Sequence, residues 1–426
     1  MKRPAKPALP WLLAVLLAGS MWFYVQHVLI PHQQAEAALY DTPRGNLSDL
    51  YPRWLGAREL LMHGRDPYSA EVTREIQAGY YGRPLDPARP HDPKDEQGFA
   101  YPAYVVFLLA PTVTLPFAIV QTGFRWLLFG LTVASVLLWL RTLRWKPSPD
   151  TTAIIVLLTL GSFPVLQGIK LQQLSLLVAG LIAAGALLLA EGHLFWAGVL
   201  LALATIKPQL ALPISAWFLL WAFGDWTRRR RFWWGFAGTM AALAGGAEFL
   251  LPGWPGRFRE AVAAYRGYNQ GADSVLDILI TPHWGKWLAI LIVVALGFVA
   301  WQHRRAAQGS WVHNQVTVVI LAATVVVIPK ASPYNQVLLL PGVLLLLRQG
   351  RKLWSKGLGR PAMAAMCGLM LLWPWLAALA LLAVSAFLPA ESIQRAWALP
   401  LYTSLAIPVA VLALLGLGPA ESTEPA

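Results

Sequence analysis

A succession of apolar runs limits this chain more than any other feature of its sequence. They fall near residues 10–30, 151–168, 171–190, 194–206, 209–224, 232–251, 287–302, 313–330, 335–349, 361–387 and 396–417, with a longer apolar stretch between Tyr101 and Leu140. A bilayer offers no partners to bare peptide groups, so spanning segments must be helices or a closed barrel, and these runs are continuous where barrel strands would alternate. The expected fold is therefore all-α: a polytopic bundle of about twelve transmembrane helices forming one membrane domain. That domain is expected to take in the whole of residues 1–426. With 57% hydrophobic and 13% charged residues, the chain has too few polar side chains to coat a soluble globule of its length.

The formal charge of +13 could point to nucleic acid, but the basic residues sit in short clusters between apolar runs: Arg141 to Lys146, Arg228 to Arg231, His303 to Arg305 and Arg348 to Lys356. This is the positive-inside pattern, which places the clusters in the cytoplasm and argues against a nucleic-acid partner. Lys2, Arg3 and Lys6 put the N-terminus there too, with the chain in the inner (plasma) membrane. The competing reading, a signal peptide cleaved after Ala35-Glu36-Ala37, meets an apolar run that is long for that purpose. Parity leaves one net crossing between Tyr101 and Leu140, so 102–119 is expected to be partly re-entrant, with Pro111 and Pro116 inside it. Cys367 is the sole cysteine, which excludes an internal disulfide and a cysteine metal site.

On this topology the extracytoplasmic face gathers a long first loop, 31–98, and a second, 252–285. The first loop carries over half of the chain's 21 acidic residues. Within it Pro52 to His63 reads as a short amphipathic helix, with proline near its first turn and Gly64 as its stop. Pro84 to Pro93 is proline-rich and irregular. Asp49 lies just ahead of the helix, where the dipole would hold its carboxyl low, and is the candidate catalytic base. Its other reading is a plain helix cap. Asp41 and Glu59 are the next candidates in the same loop.

Lys207 stands between two apolar runs, where an ammonium is costly unless it meets a partner; a lipid phosphate is one, and snorkelling to the interface is the alternative. Lys170, Gln172 and Gln173 should reach the same face, Lys170 and Gln173 towards the phosphate and Gln172 towards sugar hydroxyls. Asn269 and Gln270, beside Tyr265, Arg266 and Asp273, and then Tyr334 and Asn335 within Ser332 to Gln336, pair amides with aromatic rings as carbohydrate sites do. There is no glycine-rich phosphate loop and no nucleotide fingerprint, so a sugar donor would be lipid-linked. No cofactor and no metal ligand set is expected, although the loop's carboxylates leave a divalent ion open.

Taken in order, Asp49, Gly64-Arg65-Asp66-Pro67-Tyr68, Tyr101-Pro102-Ala103, Gln172-Gln173-Leu174-Ser175, Ile206-Lys207-Pro208-Gln209, Asn269-Gln270 and Ser332-Pro333-Tyr334-Asn335 resemble glycosyltransferase family 87, the alpha-mannosyltransferase-like group of the GT-C fold. The chain departs from that pattern at Ala103, Gln172, Ser175 and Gly271-Ala272. The resemblance implies a GT-C-like bundle that moves one sugar, mannose or a similar one, from a polyprenyl phosphate to an extracytoplasmic glycan or glycolipid. It further implies inversion at the sugar, Asp49 as base and Lys207 near the donor phosphate. Two rivals remain at this point: a lipid or solute transporter, and a ligase or polymerase using a pyrophosphate-linked glycan, for which Arg257, Arg259 and Arg266 would supply the charge.

Overall fold

The computed structural model of the chain describes residues 8–39, 48–86, 88–89, 92–268, 273–353 and 359–417. Among them are helices and irregular segments and no strand. Five helical segments are long and apolar enough to cross a bilayer: Ala8–Leu39, Phe117–Thr142, Pro282–His303, Pro361–Val384 and Ala390–Gly416. A sixth span is broken, because Pro149–Leu160 and Phe163–Lys170 pass the same test only together and are bent by 56°. Four further apolar helices, Leu174–Ala190, Leu194–Ala204, Pro208–Phe223 and Trp311–Val327, have at most 17 residues. Such a helix rises only about 26 Å against a hydrocarbon core of roughly 30 Å. The protein is polytopic: the five long segments, the broken span and the four shorter helices make ten candidate segments among the described residues, against an expected dozen crossings.

Two boundaries differ from the sequence reading, and a third segment, expected not to cross fully, agrees with it. The first helix does not stop at Ile30; a π-helical turn at Tyr24–Leu29 carries it on to Leu39, through Ala and Gln residues that favour helix. The second loop holds the helix Trp254–Tyr268 and the short Val275–Leu279, and its far end already belongs to Pro282–His303. Between Tyr101 and Phe117 the chain forms only Val105–Leu109 and a 3-10 turn. Five residues rise about 7.5 Å, too little to cross.

Elsewhere local chemistry matches expectation. The first-loop helix is Tyr51–His63, with Pro52 in its first turn and Gly64 closing it in the left-handed region at φ 65°. Ser69 caps the next helix, Ala70–Tyr81, by accepting from Val72 N. The Lys207-Pro208 pair ends one helix and starts the next. The proline ring bars Lys207 from helical geometry (φ −121°, ψ 79°), and Pro208 occupies a first-turn position where its missing N–H is not needed.

Helices Leu194–Ala204 and Trp226–Leu250 cross so closely that a Cβ on Gly198 would overlap the Phe232 carbonyl and one on Gly235 the Phe195 carbonyl. Small residues permit such backbone approach in membranes. Gly235→Leu should lower stability by about 1–3 kcal/mol or more, read as a fall in the thermal midpoint of the detergent-solubilised protein. An unchanged midpoint would mean that the two helices separate at no cost.

The bundle has two chemically different ends. At one, Arg229 donates to the carbonyls of Arg304 (3.1 Å) and Ala306 (3.0 Å), Arg348 donates to the Leu143 carbonyl, and Arg141 pairs with Glu191 at 2.6 Å. The basic connectors therefore share that end. The first loop and the turns at 170–173, 206–209 and 329–335 meet at the other.

Candidate functional site

A cavity of about 350 Å³ opens at this second end, lined among others by Asp49, Arg53, Gln173, Lys207, Lys330 and Tyr334. Asp49 reaches it because the turn after Phe163–Lys170 holds the chain at Ser48 and Asp49. Asp49 N donates to the Leu171 carbonyl at 3.0 Å, and Ser48 Oγ to the same oxygen at 3.3 Å. The helix cap position falls on Leu50, with no side-chain cap, so the Asp49 carboxylate is not spent on the helix. Instead it accepts from Gln173 Nε2.

The other end of the same amide holds Lys207, whose Nζ donates to Gln173 Oε1 at 3.1 Å and to Ser175 Oγ at 2.6 Å. Ser175 Oγ meets Asn335 Oδ1 at 2.8 Å, and the ammonium sits 4.9 Å from the centre of the Tyr334 ring. Lys207 is 5% exposed and tied inward, which is not the posture of a snorkelling lysine. One chain of contacts thus joins Asp49, Gln173, Lys207, Ser175 and Asn335.

Further charges face the cavity that sequence reasoning did not single out. Arg53 follows Asp49 by four residues, donates back to the Asp49 carbonyl at 2.8 Å and lies 4.5 Å over the Tyr101 ring. Lys330 donates to the Tyr265 hydroxyl and stands 3.9 Å from Asp95. A signal existed for both: Arg53 is one helical turn beyond Asp49, and Lys330 closes an apolar run much as Lys207 does.

Burial raises the Asp49 carboxyl above its ordinary value, outweighing the opposing pull of Arg53, Lys207 and the Gln173 amide. The expectation of a low carboxyl is thereby corrected: removal from water, not the helix dipole, is the larger effect. Burial, helped by Arg53, pushes Lys207 down to about 7 against the attraction of Asp49, and burial also lowers Lys330. Arg53, Lys207, Arg266 and Lys330 line the cavity against two carboxylates, Asp49 and Asp95. The balance favours an anion.

Two expected site residues turn elsewhere. Lys170, the last residue of its helix, donates to Gln33 Oε1 at 2.5 Å and so faces the first helix rather than the cavity. Gln172 has a left-handed backbone (φ 48°) that folds its fully buried side chain onto its own turn, where it donates to the Ile169 (2.7 Å) and Lys170 (2.6 Å) carbonyls. Its neighbour Gln173 then points into the site. Asn269 and Gln270 lie outside the described residues. Among the described residues no three His, Cys, Asp or Glu side chains come close enough to hold a metal ion.

The Gly64 to Tyr68 motif is structural in its contacts. Arg65 bridges Glu59 (2.9 Å) and Glu75 (2.6 Å), Asp66 accepts from Arg257 at 2.6 Å, and the Tyr68 hydroxyl donates to the Tyr101 carbonyl at 2.6 Å. The Asp66–Arg257 pair clamps the helix Trp254–Tyr268 over the first loop.

Residues 99–329 match the profile of glycosyltransferase family 87. The chain belongs to glycosyltransferase family 87. It is thus a membrane glycosyltransferase, and its sugar donor and acceptor must meet at a site built from these helices. No curated protein and no solved structure matches it. The matched region of this family 87 chain includes Tyr101, Gln173, Lys207 and Tyr265; Asp49 and Arg53 precede it, and Lys330 and Tyr334 follow it.

Proposed function

We propose that this family 87 enzyme transfers one hexose, mannose or a similar sugar, from a polyprenyl phosphate to an extracytoplasmic glycan or glycolipid, with inversion. The observation that carries the reading is the Gln173 amide, which holds the Asp49 carboxylate at one end and the Lys207 ammonium at the other. A single glutamine thereby fixes a proton acceptor beside a phosphate-binding cation. In the reaction an acceptor hydroxyl oxygen attacks the anomeric carbon while Asp49 takes the hydroxyl proton. The bond from that carbon to the phosphate oxygen breaks, and polyprenyl phosphate leaves with the electron pair. Lys207, Arg53 and Lys330 stabilise the charge that grows on it. The cavity's volume falls at the lower end of the usual ligand range, which suits one sugar and a phosphate. The arginines that would favour a pyrophosphate-linked glycan disperse: Arg257 is engaged by Asp66, Arg259 is exposed, and Arg266 alone lines the cavity.

Purified protein incubated with polyprenyl-phosphate sugars and a panel of glycolipids should release polyprenyl phosphate and leave an acceptor heavier by one sugar, as read by mass spectrometry. Transfer from nucleotide sugars alone would overturn the donor assignment. Orientation is tested separately, with the basic end assigned to the cytoplasm. A cysteine at Ala88, exposed in the first loop, should react with an impermeant reagent added outside intact cells, and one at Ala307, exposed beside Arg304 and Arg305, should not. The reverse labelling would turn the enzyme over.

A further inference from the structure

A second, larger hollow of about 1030 Å³ adjoins the first, walled by Thr73, Arg74, Arg89 and Lys94 on one side and by Ala261, Ala264 and Gly267 on the other. Gly98 and Ala100 line both hollows and form the sill between them. The helix Trp254–Tyr268 divides the two. Phe258, Val262, Tyr265 and Arg266 recur at helical spacing and line the Asp49 cavity, whereas Ala261, Ala264 and Gly267 occupy the adjoining stripe and line the larger groove.

The two hollows differ in chemistry. The Asp49 cavity has four cations against two carboxylates, and Leu212, Phe258 and Val262 give it an apolar edge. The groove sets Arg74, Arg89 and Lys94 against Asp86, Asp92 and Glu96, so its fixed charges balance. It shows no preference for a phosphate, yet it presents donors and acceptors on one wall and a flat run of small residues on the other. Its polar wall is already built: Arg83 pairs with Asp92 at 2.5 Å, the Gln77 amide donates to the Glu96 carbonyl at 3.1 Å, and the Tyr81 hydroxyl donates to the Asp95 carbonyl at 2.6 Å. A preformed wall lowers the ordering cost of binding.

We infer that this groove is the acceptor site and that it takes the carbohydrate part of the acceptor, several sugar units long, whose terminal hydroxyl crosses the Gly98–Ala100 sill to Asp49. The inference rests on the glycosyltransfer reading for its direction but not for its binding test. The groove's volume is about three times that of the cavity, which accommodates an oligosaccharide where the cavity accommodates one sugar. The lipid-linked donor uses the apolar edge on the opposite face of the dividing helix.

Two variants fill the groove from opposite walls, Ala264→Trp and Thr73→Trp; Ala264 is exposed and Thr73 partly so, and neither change asks the core to repack. Mannotriose and maltotriose are the probes, with binding to the protein in nanodiscs measured by saturation-transfer NMR, and farnesyl phosphate binding measured beside it. At least one trisaccharide should bind the parent and Lys207→Met alike and lose at least tenfold in affinity in both groove variants. Farnesyl phosphate should show the reverse pattern, weakened in Lys207→Met and unchanged in the groove variants. Trisaccharide binding that survives both tryptophans, or that is absent from the parent, overturns the acceptor site. Failure of farnesyl phosphate to bind any form strikes the donor reading and leaves the groove result to stand by itself.

Discussion

Asp49→Asn should bind farnesyl phosphate as the parent does and turn over at least 10²-fold more slowly, within the 10² to 10⁴ that a general base typically contributes. The substitution is nearly isosteric, and the new Oδ1 can still accept from Gln173 Nε2. Arg53 holds the Asp49 backbone carbonyl rather than the carboxylate, so that contact is untouched. No capping bond is lost, since the helix takes none from this side chain. The pH profile gives an independent reading. A base works when deprotonated, and burial has raised the Asp49 carboxyl, so the parent's activity should be full above that raised value and fall as pH drops through it. The fall should come at higher pH than an ordinary carboxylate near 3.9 would give, and that limb should vanish in Asp49→Asn. Turnover of the variant within about tenfold of the parent would remove Asp49 from the role. Asp95, the other carboxylate in the cavity, would then be the candidate. Glu59 would not, because it is buried against Arg65 and His63, and Asp41 lies outside the described residues.

What could be read from the sequence follows from the range over which each interaction acts. The apolar runs, the Tyr51–His63 helix between Pro52 and Gly64, and the break at Lys207-Pro208 depend on neighbours within a few residues, and they were legible. The set of turns that meet at the cavity was also legible, because connector charge orders the ends of a membrane bundle. Pairing across the bundle was not. Asp49 with Gln173, Ser175 with Asn335, and Asp66 with Arg257 join positions separated by 124, 160 and 191 residues. Gln172 and Gln173 show the limit most sharply. They are identical neighbours, and a single left-handed φ at Gln172 decides which one enters the site. Lys170 and Lys207 looked alike as cations at the ends of apolar runs, yet Gln33 on the unforeseen extension of the first helix draws Lys170 away.

Lys207→Met should weaken farnesyl phosphate binding roughly ten- to 150-fold, the equivalent of about 1.5–3 kcal/mol for a hydrogen bond to a charged group. The parent's affinity should itself depend on pH, and the sign follows from the depressed ammonium. With Lys207 held down to about 7, the empty site carries its full charge only below that pH and loses it as pH rises. A bound phosphate favours the charged form, so binding above neutrality must take up a proton, and affinity should fall with rising pH there. The other charged groups facing the site are Asp49, Arg53, Asp95, Arg266 and Lys330. The arginines keep their charge throughout, and Asp49, whose raised carboxyl would gain a proton on the acid side, does not lose charge in this direction. Lys330 is also lowered by burial and would add a similar limb, so the assignment needs Lys207→Arg. An arginine stays charged over the whole range, so this variant should keep most of the affinity at neutral pH and lose part of the alkaline slope, with Lys330 supplying what remains. Farnesyl phosphate affinity titrated between pH 6 and 9 for the three proteins decides it. A slope that Lys207→Arg leaves intact would assign the phosphate to Lys330, and a flat parent curve would assign it to the arginines, whose charge does not change; either result would leave Lys207 as the residue that positions Gln173 for Asp49.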